Sequence, residues 1–94
     1  MIKIYKYELP VDGDVVVIRN KVIKFLEAQN QNDIPTIWAM IDEDGKEDTS
    51  IIAIGTGWEV PSGCKEYLGT VQDEYGFVWH YFSLKLKELK KPEE

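Results

Sequence analysis

Apolar and polar residues alternate along much of this chain with a period of two, the pattern of strands that bury one face. Ile2, Ile4, Tyr5, Tyr7 and Leu9 mix with Lys3 and Lys6 and predict a first strand over 2–9, ended by Pro10, which lacks a ladder donor. Val11-Asp12-Gly13-Asp14 reads as a turn. Val15 to Ile18 is an unbroken β-branched run and predicts a short buried strand. Val22 to Gln29 fits two periods. A helix gathers Val22, Ile23, Leu26 and Ala28 loosely on one side; a strand sets Ile23 and Phe25 against Val22, Leu26 and Ala28. The strand is preferred because no N-cap with an acidic first turn precedes it. An α+β arrangement with a helix near 22–29 is the alternative.

Asn30 to Asp33 is a polar turn that closes a hairpin. The strand after it, Ile34 to Ile41, puts Ile37, Ala39 and Ile41 on one face and Thr36, Trp38 and Met40 on the other. Both faces are largely apolar, so this strand is central or lies at a subunit contact. Asp42 to Asp48 (DEDGKED) is expected to be an exposed acidic connection, and Thr49 to Ile54 a further strand. A nine-residue loop, Gly55 to Gly63, follows. Lys65 to Gln72 and Phe77 to Ser83 make the last pair of strands, joined by a four-residue loop, Asp73 to Gly76. Leu84 to Glu94 either extends the last strand or turns into a short helix. These elements predict an all-β domain over residues 1–86, a small antiparallel sandwich or open barrel of six or seven strands. Residues 87–94 are expected to be a frayed or helical tail.

Composition narrows the function classes. The 94 residues carry a net charge of -6, which argues against a broad electrostatic grip on nucleic acid. No apolar run approaches the roughly 20 residues of a membrane span, and no signal peptide is visible, so a cytoplasmic protein is expected. The single cysteine, Cys64, excludes an internal disulfide and fits a reducing compartment. A chain this short buries a modest share of its surface, and three tryptophans and five tyrosines exceed what a small core needs. A homo-oligomer is therefore expected.

The candidate chemistry concentrates between Ile51 and Phe82, which holds five of the seven glycines, two of the three tryptophans, the only histidine and the only cysteine. In the loop, Gly55 and Gly57 flank Thr56 and allow close backbone approach to a ligand or an anion. Trp58 offers a stacking surface and Ser62 a hydroxyl donor. His80 lies on a strand face with Val78 and Phe82. The candidate ligand-binding residues are therefore Gly55, Thr56, Gly57, Trp58, Ser62 and His80. The competing account is a tight crossover with Trp58 packed as a lid on the core. The spacing is neither a P-loop nor a dinucleotide fingerprint. One His and one Cys leave a metal shell unfilled, and Asp42-Glu43-Asp44-Gly45 lacks the bidentate position of a calcium loop. No metal, no cofactor and no catalytic residue is assigned, and a Cys64–His80 enzyme ranks last.

Lys6-Tyr7-Glu8-Leu9, Ile37-Trp38-Ala39, Gly55-Thr56-Gly57 with Pro61, Tyr67-Leu68-Gly69-Thr70-Val71 and Val78-Trp79-His80-Tyr81-Phe82 occur in that order. The set resembles a family of small bacteriophage-encoded proteins of uncharacterised function. The resemblance runs from residue 1 to about residue 83, and implies a phage protein working in the host cytoplasm, with no catalytic residues to carry over. Together these features lead to the expectation of a non-enzymatic binding module, of counter-defence type, that holds a nucleotide-like or other small anionic ligand. The alternatives are an acidic inhibitor of a host immune protein and a virion accessory or assembly protein.

Overall fold

In a computed structural model, residues 1–84 are described. They form β1 (Ile2–Glu8), β2 (Val15–Gln31), β3 (Ile34–Gly55), β4 (Cys64–Gln72) and β5 (Val78–Leu84). All pairings are antiparallel, in the order β1-β3-β5-β4 with β2 on β3. The sheet is open and no described residue is helical. The all-β class is as expected, and the alternative helix at 22–29 is absent, because those residues belong to β2. The tail expected at 87–94 lies outside the described residues.

The strand count is lower than expected for one reason. Asp42–Asp48, expected as a connection, and the polar Arg19-Asn20-Lys21 between Ile18 and Val22 are strand. Val15–Ile18 and Val22–Gln29 are the halves of β2, and Ile34–Ile41 and Thr49–Ile54 are the halves of β3. The acidic segment Asp42–Asp48 is therefore a corner within β3 and not a protruding connection. Asn20 pairs with Lys46 and Lys21 with Asp42, which leaves Glu43, Asp44 and Gly45 without partners across β2. The looped-out corner is held from β1: Lys3 Nζ lies 3.2 Å from Glu43, and the Tyr5 hydroxyl donates to Glu43 at 2.8 Å. At Gly45 a Cβ would stand 2.9 Å from the Lys21 side chain, so the two chains approach closely at the bend.

The helix-like spacing in β2 has a physical cause. The register slips between Val22 and Lys24 and between Phe25 and Glu27. Ile23 and Leu26 are the extra residues of two β-bulges, and both are exposed. Each bulge resets the alternation, so Val22, Phe25 and Ala28, three apart, all pack on the core. The hairpin to β3 closes at Asn32 and Asp33, with φ of 52° and 70°, the pair of positive angles that a two-residue type I′ turn takes.

The core lies inside the bend. Ile37 from one half of β3 meets Ile51 and Ala53 from the other, with Trp79 and Tyr81 of β5, and Ala39 and Ile41 are fully buried on the same strand face as Ile37. Tyr81 is fully buried, and its hydroxyl donates to the Pro10 carbonyl at 2.7 Å. Burial pushes the Tyr81 phenol well above its ordinary range, so it remains a donor at any working pH. Gly69 brings β4 against β2: a Cβ there would lie 2.8 Å from Ala28 Cβ, and its φ is 149°. Asn30 fixes the same contact by donating to the Gln72 carbonyl at 2.9 Å. A second, smaller cluster (Ile52, Ile54, Leu84, Cys64 and Phe82) forms on the opposite face of β3 and β5.

The β4–β5 hairpin depends on one carboxylate. Asp73 Oδ1 accepts from the N–H groups of Tyr75 at 2.9 Å and Phe77 at 3.0 Å, and Oδ2 accepts from the Trp79 indole at 2.9 Å. The Trp79 bond, then the backbone donors, hold the Asp73 carboxyl below the usual range. A lowered folded value means the stabilisation is present above the unfolded carboxyl value, about 4, and is lost as pH falls through the folded one. Asp73→Asn should therefore lower the Tm at neutral pH and flatten the acid limb of a Tm-against-pH curve followed by circular dichroism. Parallel curves for the two proteins would show that Asp73 is not linked to folding.

Candidate functional site

The two glycines of the loop do different things. The Trp58 N–H donates to the Gly55 carbonyl at 3.0 Å and closes a four-residue turn. Gly57 sits at φ 88°, and a Cβ there would meet nothing within 4 Å, so its role is conformational. Gly55 supplies space. A Cβ there would fall 2.6 Å from Trp58 Cε2 and 2.8 Å from Nε1. The turn thus folds the indole back over the end of β3. There it meets Trp79 edge-on, with centroids 5.4 Å apart at 77°, and also lies against Gly13. Trp58 is nonetheless 49% exposed, so one side of the ring faces solvent. The close approach that Gly55 allows is taken by the protein's own indole rather than left open for a ligand.

His80 is placed by register. It pairs with Ile54 on one side and Thr70 on the other. Its Nε2 lies 2.7 Å from Thr56 Oγ1 and its Nδ1 3.0 Å from Thr70 Oγ1. Thr70 Oγ1 in turn bonds the Tyr67 hydroxyl. In a neutral imidazole one nitrogen donates and the other accepts. Three hydroxyls and one ring N–H then bring one more hydrogen than the three bonds of the chain consume. When Nε2 carries the proton, the free donor is the Thr56 hydroxyl. When the chain runs the other way, it is the hydroxyl of Tyr67. The chain always presents a donor to its surroundings.

Those surroundings are a cavity of about 220 Å³. Trp58, Tyr67, His80 and Phe82 line it with Val60, Ile54 and the Gly55-Thr56-Gly57 turn. Tyr67 and Phe82 pack edge to face, with centroids 5.6 Å apart. No Lys, Arg, Asp or Glu lines the cavity. An anion would gain no ion pair there. An uncharged ring with hydrogen-bond acceptors finds both aromatic surface and donors.

Of the six residues singled out in the sequence, five come together: Gly55, Thr56, Gly57, Trp58 and His80. Ser62 is exposed and stands outside the lining. Cys64 packs in the second cluster instead of lining the cavity, and burial raises its thiol pKa, away from the reactive thiolate. Tyr67, Thr70, Val60 and Phe82 complete the arrangement without having been singled out. The β4–β5 pairing carries the signal for three of them, since Thr70 pairs with His80 and Tyr67 with Phe82. Among the described residues no group of three or more His, Cys, Asp or Glu could hold a metal ion, and no helix is long and apolar enough to cross a membrane.

Residues 1–91 match the model of a family described as a domain of unknown function (DUF7352). No curated protein and no solved structure matches the chain.

Gly55→Ala tests the geometry. The new methyl must displace the indole, so the near-ultraviolet circular dichroism of the Trp58–Trp79 pair should collapse. The overpacking should cost about 1–3 kcal/mol in denaturant unfolding. An unchanged spectrum would mean that the indole does not lie over Gly55.

Proposed function

The chain belongs to the DUF7352 family, and we propose that it is a non-enzymatic binding module for a planar, nucleoside-like ligand. The observation that carries this reading is the cavity at Trp58 and His80, where aromatic walls and a surplus hydroxyl donor converge. Its volume of about 220 Å³ limits the size of the ligand. It lies below the roughly 300–1,000 Å³ of sites that enclose drug-sized molecules. One ring system fits, with any sugar or phosphate left outside. The neutral lining supports the same choice: the base is held and the charge stays in water. Cys64 stands apart from His80 with a raised pKa, which favours binding over nucleophilic chemistry. The resemblance to small phage proteins supports a setting in the host cytoplasm, with a counter-defence activity that sequesters a nucleotide signal.

The acidic-inhibitor reading draws on the net charge of -6. The corner at Asp42–Asp48 supports it less than a free loop would. Glu43 is engaged by Lys3 and Tyr5, and Asp48 by Arg19 at 2.9 Å.

Thermal-shift measurements against nucleosides and mono-, di- and cyclic nucleotides test the proposal. A ligand at 100 times its Kd adds about 2.7 kcal/mol, which raises the Tm of a domain this small by several degrees. The expected hit is saturable, keeps its shift when phosphates are removed, and is lost in Trp58→Ala and His80→Ala. No stabilisation up to millimolar concentrations would overturn the reading.

A further inference from the structure

A second cavity, of about 190 Å³, lies between the β4–β5 hairpin and the turns that precede β2 and β3. It shares no residue with the Trp58–His80 cavity. Its walls are aromatic: Tyr75, Phe77 and the edge of Trp79. Phe77 and Trp79 are tilted at 48° with centroids 6.2 Å apart, and Tyr75 and Phe77 are 78% and 61% exposed. Rings this exposed on a hairpin would ordinarily be mobile. Here the main chain that carries them is fixed, because Asp73 takes the backbone N–H groups of both Tyr75 and Phe77. Four of the nine lining residues are acidic, Asp12, Asp33, Asp73 and Glu74, and none is Lys or Arg. Asp12 and Asp33 are fixed in their turns at φ 58° and 70°.

Rings decide what kind of cation suits this cavity. Carboxylates drawn together would favour a metal ion, but no described cluster of three or more ligating side chains exists. Here the charges are spread around aromatic faces. A ring face attracts a cation that is weakly hydrated and carries its own apolar surface, as a guanidinium or alkylammonium group does. The carboxylates lower the cost of bringing that charge out of bulk water. We propose that this cavity binds an organic cation, a guanidinium or alkylated ammonium group seated against Tyr75 and Phe77. The group belongs either to a free small amine or to an arginine or lysine side chain of a polypeptide.

Titration with methylguanidinium and tetramethylammonium at constant ionic strength, against sodium, tests the proposal by NMR. The Trp79 indole N–H reports directly, since it lines the cavity and is bonded to Asp73. A saturable shift of that signal and of the Tyr75 and Phe77 amides is expected. Phe77→Leu and Glu74→Gln should each weaken binding roughly fivefold, in keeping with the loss of one ring face or one charge. The retained Trp79–Asp73 signal shows that each variant is folded. A short arginine peptide that binds more tightly than methylguanidinium assigns the cation to a polypeptide, and equal affinity assigns it to a free amine. A linear, sodium-like response, or affinity unchanged in both variants, would overturn the proposal.

Discussion

The backbone of Ile34–Gly55 offers hydrogen-bonding groups on both edges, and three of the other four strands depend on them. β2 takes one edge along nearly its whole length, while β1 and β5 divide the other. A flat strand of that length could not bury its apolar residues against anything. The unpaired Glu43-Asp44-Gly45 corner lets it turn, so that Ile37 packs with Ile51 and Ala53 in one core. The thinnest dimension of the molecule, 15 Å, is close to two backbone layers at the usual ~10 Å sheet spacing. Only small residues permit the final approach, which is why Gly69 stands against Ala28.

Much of this was legible from alternation alone. The faces of Ile34–Ile41 read correctly, because a period of two needs no knowledge of partners. The polar turn expected over Asn30–Asp33 falls at its last two residues, Asn32 and Asp33, which take the positive φ that few residues tolerate, while Asn30 and Gln31 remain in β2. The continuity of β2 and β3 was not legible. DEDGKED has the composition of a solvated loop; it joins the strand because Asp42 and Lys46 pair with Lys21 and Asn20 of β2 while Lys3 and Tyr5 of β1 hold Glu43, all long-range facts. The helix alternative at 22–29 had a real basis in residues three apart. Bulges produce that spacing in a strand, and neither Ile23 nor Leu26 identifies itself as a bulge by type.

The site shows the same division. Glycine spacing and the lone histidine pointed to five of its residues, since those residue types are informative on their own. Thr70 was hidden by one residue of register; Tyr67 was not, because a shift between Tyr67 and Gly69 returns it to Phe82, where a four-residue loop would also set it. A four-residue loop at Asp73–Gly76 would set Gly69 opposite His80. The observed turn runs through Phe77, with the Asp73 N–H donating to the Phe77 carbonyl at 2.8 Å, and sets Thr70 there instead. The turn at Asp73–Phe77 thus sets a hydroxyl, rather than Gly69, opposite the imidazole. Ser62 lies outside the lining for the opposite reason: its residue type suited a site, but the chain leaves the cavity after Val60 and turns again at Pro61–Cys64.

The functional account rests on a chain of hydrogen bonds that exists only when β4, β5 and the glycine turn are all in place. The nitrogen-15 spectrum of the His80 ring, recorded alkaline to the ordinary histidine range, observes that chain without any ligand. Two distinct ring nitrogens, one protonated and one not, with the ring proton protected from solvent exchange, are the predicted result. Two nitrogen shifts drawn toward a common mean by rapid exchange between the tautomers, with a freely exchanging ring proton, as in an unrestrained imidazole, would contradict it.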